Sequence, residues 1–242
     1  MNAADFDTVS ITLDVDWAPE EAIRGAAGRL EAAGLRATFF ATHESAALAA
    51  LDPDRFEVGL HPNFDRSGDD HRSPIATLKS LYPAATGARS HDLFTSSRVL
   101  ALYREQGLSY EANIFLPWHL GLHPVLRFEG LVSIPFNWSD DKHLEFERTP
   151  AVTELPLGRP GLTVLNFHPI HVAMNTRDLA HYAEYKPHYT DWEALADFAG
   201  MDGPGIGTLF DELVDHLAGG EREVLTLTEV QSRYLALSSA RS

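Results

Sequence analysis

Along residues 8–107 the apolar positions change period again and again, from two to about three and a half and back. Val9, Ile11 and Leu13 alternate with Ser10, Thr12 and Asp14, which predicts a strand with Asp14 at its end. If the extended conformation continues, Asp14 and Asp16 project to the same side, because strand side chains alternate faces. Pro19, Glu20 and Glu21 open a helix, Ile23, Ala26, Ala27, Leu30 and Ala33 follow its period, and Gly34 stops it. Residues 35–42 predict a second strand, residues 44–51 a short helix, and residues 56–60 a third strand leading into His61. There Val58 and Leu60 take one face, while Gly59 and His61 take the other, which points His61 into a crowded interior. A polar loop over residues 65–72 precedes a helix opened by Ser73-Pro74 that runs to Leu81. Residues 86–91 predict a short strand and its loop, ending in Arg89-Ser90-His91; a helix capped by Thr95 or Ser96 then buries Val99, Leu100 and Tyr103 and stops at Gly107.

The middle of the chain is less regular. A strand is expected within residues 111–118, loop over 121–127, and strand over 131–136 leading into Asn137-Trp138-Ser139-Asp140-Asp141. Residues 162–167 predict a strand that delivers His168-Pro169-Ile170-His171, with Asn166 and His168 of one parity. A helix is expected from Thr176 to Tyr185, an excursion over 186–204, an amphipathic helix over 206–217, a last strand over 223–227 and a helix capped by Thr228. Strands alternating with helices predict βα units and a parallel sheet. The 242 residues suit one α/β barrel domain, with neither an internal repeat nor a long linker.

Composition narrows the partners. A formal net charge of −16 repels phosphate backbones and anionic lipid, so neither nucleic acid nor a membrane surface is expected. No apolar run is long enough to span a bilayer, and residues 1–8, with Asp5 and Asp7, do not read as a signal peptide; a cytoplasmic location is expected. The absence of cysteine excludes disulfides, thiolate metal sites and cysteine nucleophiles. What remains is a set of strand-end groups: Asp14 and Asp16, His61, Arg89 with His91, and His168 with His171. In a parallel barrel all of these converge on one face. Imidazole and carboxylate without thiolate suit zinc or a similar divalent ion with an open position for water. A nearby carboxylate then serves as general base, and a separate histidine protonates a leaving amine: metal-assisted hydrolysis of an amide.

These motifs, in their order, resemble the polysaccharide deacetylase, or NodB-homology, superfamily (carbohydrate esterase family 4 and its relatives), and within it an atypical branch of O-antigen-cluster deacetylases. Thr12-Leu13-Asp14-Val15-Asp16-Trp17 resembles its first motif, Gly59-Leu60-His61-Pro62-Asn63-Phe64 its metal-histidine motif, Arg89-Ser90-His91 its third, and Leu165-Asn166-Phe167-His168 the place of its acid histidine. The resemblance covers most of the chain. It implies a distorted (β/α)7 barrel and removal of an N-acetyl group from an amino sugar. It also implies Asp14 as general base, Arg89 orienting it, Asp16 and His61 as metal ligands, and His168 as general acid. Two departures stand out. Val15 separates the two aspartates, which leaves the roles of Asp14 and Asp16 exchangeable. The usual second histidine of the metal motif is here Asp65, so the third ligand is His91, Asp65 or His71, with His91 preferred for its place beside Arg89. His171 is expected to support His168 or a loop. Trp138 and Asp140 are candidates for a sugar-binding wall, since an indole face stacks on a sugar ring and carboxylates bond hydroxyls; a core tryptophan followed by a solvated acidic turn is the competing reading. The substrate expected is a small carbohydrate. The alternatives are a metal-independent hydrolase of cyclic amides or imides, and a barrel that binds metal or sugar without catalysis.

Overall fold

The computed structural model describes residues 2–65, 67–200 and 203–240. Arg66 of the polar loop, Met201 and Asp202 of the excursion, and the terminal Met1, Arg241 and Ser242 lie outside the described residues. In chain order the strands are β1 (Thr8–Asp14), β2 (Ala37–Ala41), β3 (Phe56–Leu60), β4 (Gly87–Ala88), β5 (Tyr110–Glu111), β6 (Val125–Leu126), β7 (Val132–Ser133), β8 (Trp138–Ser139), β9 (Thr163–Phe167) and β10 (Glu223–Val224). The helices are α1 (Glu20–Ala32), α2 (Ala46–Ala49), α3 (Arg72–Leu81), α4 (Ser97–Glu105), α5 (Asp140–Glu145), α6 (Pro169–Ala173), α7 (Leu179–Tyr185), α8 (Trp192–Leu195), α9 (Ile206–Ala218) and α10 (Leu227–Ser239).

The sheet order is β6-β7-β5-β4-β3-β2-β1-β9-β8, with β10 added beside β1, and every pairing but β6 with β7 is parallel. β7 and β8 are two ends of one extended stretch. Its first half pairs with β5, its second half with β9, and Phe136 between them bridges to Phe115. The sheet therefore curls round until its ends meet, a distorted seven-stranded α/β barrel of the kind the βα rhythm predicts.

β1 lies at the centre and is buried along its whole length. Its odd residues Val9, Ile11 and Leu13 belong to one buried apolar cluster with residues of α1, α6 and α9. Its even residues face the barrel axis, where glycine is required at two points of close approach: a Cβ on Gly59 would lie 2.7 Å from the Phe40 ring, and one on Gly87 1.9 Å from Tyr110. Phe40, Tyr110, Ala112 and Val164 fill the interior together with Val230 and Tyr234 of α10, which seals the end away from the strand C-termini. A third cluster holds α3 and α4 against the barrel through Ile75, Leu78, Val99 and Leu100.

Several boundaries differ from expectation. The last helix is capped by Thr226 rather than Thr228: Thr226 and Glu229 form a reciprocal capping box, while Thr228 bonds Glu57 across the sealed end. The helix expected from Thr176 starts at Leu179, capped by Asp178, and a separate helix, α6, begins at Pro169 directly after His168. Residues 121–127, expected as loop, carry β6, which forms a hairpin with β7. Within the excursion Trp192–Leu195 forms α8, and Leu195 is fully buried.

Candidate active site

Both aspartates of the first motif reach one pocket, but not by strand alternation. The strand ends at Asp14. Val15 still donates its N–H to Phe40 O (3.1 Å), and then Asp16 and Trp17 take left-handed conformations, with φ of 45° and 59°. Ala18 N closes the turn on Val15 O at 2.9 Å. Left-handed backbone is uncommon for Asp and unfavourable for Trp, so this turn is held by its surroundings.

Asp14 is fixed from two sides. Arg89 Nη1 donates to its Oδ1 (3.0 Å), and Asn166 Nδ2 donates to its Oδ2 (2.9 Å). Arg89 is fully buried, lies between the rings of Phe40 and Phe136, and donates from Nε to Ala112 O (3.0 Å) and from Nη1 to Thr12 Oγ1 (2.9 Å). Asn166 Oδ1 accepts from both Thr12 and Arg89. Asn166 is thus a site residue that the motifs do not single out; its parity with His168 was the available signal.

His61, at the end of β3, points inward as its parity predicts and is buried. Its Nε2 lies 3.1 Å from Asp16 Oδ1, and its Nδ1 3.9 Å from Asp14 Oδ1. Burial works against the His61 cation, but the Asp14 and Asp16 carboxylates outweigh it and raise its pKa. Burial likewise opposes ionisation of Asp16, yet the His61 hydrogen bond and the charges of His61 and His168 hold it well below the usual carboxylate range. The His91 ring lies edge-on to His61 at 5.7 Å, and its Nδ1 is 3.7 Å from Asp65 and 3.5 Å from Asp92. His71 is elsewhere, with its ring against Phe64 and Phe94.

Across the pocket His168 is held by Asp140. Its backbone N donates to Asp140 Oδ2 (2.7 Å) and its Nδ1 to Oδ1 (2.6 Å), which leaves Nε2 facing Asp16 at 3.5 Å. Burial disfavours the His168 cation, but Asp140 first, then Asp16 and Asp141, raise its pKa well above the ordinary histidine value. His171 is the opposite case: burial pushes it down to about 4, so it is neutral. Its Nδ1 meets Tyr185 Oη (2.8 Å) and Thr176 Oγ1 (3.0 Å), which ties α6 to α7.

Trp138 and Asp140 do not form a sugar-facing wall. Trp138 is fully buried against Phe167, with its indole N–H donated to His143 Nδ1 (3.1 Å). β8 turns this side chain outward into the helix layer and its neighbour Ser139 toward the site. Asp140, also fully buried, meets His168 instead of the open pocket.

The pocket encloses about 190 Å³. Asp14, Asp16, His61, His91, Asn166 and His168 line it on the polar side; Leu93, Phe115 and Phe136 supply an apolar side. Among the described residues, two sets have ligand atoms all within 4.8 Å of one another, Asp65 with His91 and Asp92, and Asp140 with Asp141 and His168; Asp16 and His61 belong to neither. His61 Nδ1 and His91 Nδ1 are buried without a hydrogen-bond partner. Such orphaned imidazole nitrogens, with the Asp16 carboxylate beside them, fit a divalent cation.

A family model described as WbmS-like polysaccharide deacetylase matches residues 11–186. A solved structure from Bordetella bronchiseptica, assigned as a polysaccharide deacetylase involved in O-antigen biosynthesis, is 30% identical; the match covers 86% of this chain and 89% of that one with a TM-score of 0.78. A structure assigned as a polysaccharide deacetylase of Mycobacterium smegmatis matches at 16% identity and a TM-score of 0.63, over 96% of this chain and 92% of the other. The Bc1960 peptidoglycan N-acetylglucosamine deacetylase matches at 12% identity and a TM-score of 0.54, over 94% and 89%. At those two identities the likeness is one of fold. No curated protein matches the chain significantly.

Proposed function

This chain belongs to the WbmS-like polysaccharide deacetylase family, a family of carbohydrate amide hydrolases, and from that premise we propose that it is a metal-dependent enzyme removing an N-acetyl group from an amino sugar, acting as one domain in the cytoplasm. The observation that carries the reading is the pairing of two groups across one pocket: Asp14 oriented by Arg89 and Asn166, and His168 kept protonated by Asp140. An oriented carboxylate facing a protonated imidazole is what amide hydrolysis needs.

Asp16, His61 and His91 would hold the metal, with Asp65 beside His91 as the rival third ligand. When bound, a divalent ion such as zinc polarises the acetyl carbonyl and makes water more acidic. Asp14 is the general base. Two donors fix both of its oxygens, so a proton drawn from water arrives at an oriented carboxylate. Arg89 keeps that carboxylate buried and charge-balanced. His168 is the general acid. Asp140 holds its Nδ1–H, so Nε2 presents the proton to the leaving amine. Phe115 and Phe136 exclude water from the apolar side of the pocket.

The direct test is acetate release from N-acetylated hexosamines, nucleotide-linked hexosamines and oligosaccharides. Metal-dependent release, abolished by Asp14→Asn and by His168→Ala, supports the proposal; no release across the panel with metal supplied refutes it.

A further inference from the structure

Asn113 lies just beyond β5, is buried, and has no part in the chemistry described above. Its place in the sheet is unusual. Between parallel strands the N–H groups of one strand step two residues at a time along the carbonyls of its neighbour. Here Tyr110 N donates to Thr86 O and Ala112 N to Ala88 O, so the next rung of the ladder would run from Ser90 N to Ala112 O. That rung is replaced. Ser90 N donates to the side-chain Oδ1 of Asn113 at 2.7 Å, and Ala112 O accepts from Arg89 Nε at 3.0 Å. Asn113 N is itself donated to a side chain, Glu111 Oε2 at 2.8 Å, which fixes the backbone that carries the carboxamide.

The exchange does not serve the fold. Asn113 Nδ2 is left buried with no partner among the described residues, a cost that a plain backbone rung would avoid. Its effect falls on Arg89. Ser90 is fully buried, so its N–H needs an acceptor inside the protein. Only when Asn113 supplies that acceptor is Ala112 O left for Arg89. The guanidinium is then tied at both ends, by Nε to Ala112 O and by Nη1 to Asp14 Oδ1 at 3.0 Å, with the rings of Phe40 and Phe136 on either side.

We propose that Asn113 is a positioning residue: its carboxamide oxygen stands in for the Ala112 carbonyl in the ladder, which frees that carbonyl to hold Arg89 Nε and so aims Arg89 at Asp14. The role of Asp14 as the base rests on the deacetylase reading; the exchanged rung does not. The test is hydrogen exchange of the Arg89 Nε–H, followed by NMR on the 15N-labelled full chain, beside steady-state acetate release, for the wild type, Asn113→Ala, Asn113→Asp and Tyr103→Phe. In the wild type the Nε–H should exchange slowly, in step with the buried amides of β1. In Asn113→Ala the Ser90 N–H takes Ala112 O, so exchange at Nε should quicken about tenfold relative to those amides. There kcat should fall about tenfold or more with KM unchanged. Asn113→Asp keeps the oxygen that Ser90 needs and loses only the unpaired Nδ2, so it should keep most of the protection and of kcat. Tyr103→Phe removes the hydroxyl that meets Ser90 Oγ at 2.7 Å. It loosens the same cluster without touching the rung, so it should lower stability and leave both readouts in place. An Nε–H that exchanges freely in the wild type, is unchanged in Asn113→Ala, or quickens equally in Tyr103→Phe overturns the proposal, as does full kcat in Asn113→Ala. Because exchange is read without turnover, the expected protection pattern in a protein that releases no acetate would refute the deacetylase reading and leave the exchanged rung standing.

Discussion

Replacing Asp140 by asparagine tests the acid half of the site with almost no change in volume. Asp140 is fully buried and makes two short contacts with His168, 2.6 Å to Nδ1 and 2.7 Å to the backbone N. Asparagine keeps the shape and one acceptor but removes the charge that favours the imidazolium. A hydrogen bond to a charged group contributes about 1.5–3 kcal/mol. If that interaction serves the transition state, kcat/KM should fall about 10- to 150-fold. The pH dependence has a definite sign. The His168 pKa is raised, so its proton is present at neutral pH and is lost as pH rises through that elevated value. In Asp140→Asn the value drops, so the alkaline limb of the kcat/KM profile should move to lower pH. The assay is acetate release across pH, with zinc held saturating. An unmoved alkaline limb, with full activity or with a loss uniform in pH, would refute the role assigned to the pair.

Arg89→Met leaves Asp14 without its buried charged partner and should destabilise the fold by about 3–5 kcal/mol in denaturant titration. His171 is held at about 4 in the folded chain, so the stability tied to its neutral form is complete above its unfolded value near 6.5 and lost as pH falls toward 4. The span corresponds to about 3 kcal/mol, and in His171→Gln the drop in unfolding free energy between neutral and acid pH should shrink by about that much. Trp138→Phe should cost about 1–3 kcal/mol of stability through lost packing and the lost bond to His143, with KM unchanged; a raised KM would return Trp138 to the sugar site.

Sequence periodicity found most of the scaffold because its signals are local. Gly59 and His61 share a parity, and that parity alone aims His61 inward. What it missed depends on backbone turns and distant partners. Extended geometry was the wrong reason for Asp14 and Asp16 to converge, since the chain leaves the strand at Val15 and returns through two left-handed residues. Trp138 and Trp17 look alike in sequence, each within two residues of an aspartate of the site, and only the direction of β8 buries one while the turn exposes the other. Asn166 gains its place from Thr12, Asp14 and Arg89, some 77 to 154 residues away, which no local pattern encodes. Two misplaced boundaries did carry local signals. Pro169 is well placed to open α6 after His168, and the Thr226 and Glu229 spacing is a capping box.

The proposed hydrolytic site requires a divalent ion held by Asp16, His61 and a third ligand. The most direct measurement is acetate release from an N-acetylhexosamine substrate by one preparation of the protein, assayed as purified, after chelation, and after zinc is returned, with bound metal counted at each stage. The expected result is about one bound ion, activity lost on chelation and restored with the ion, and neither ion nor activity in His61→Ala. Acetate released at an undiminished rate by the chelated protein, or none released by a protein carrying its ion, would contradict it.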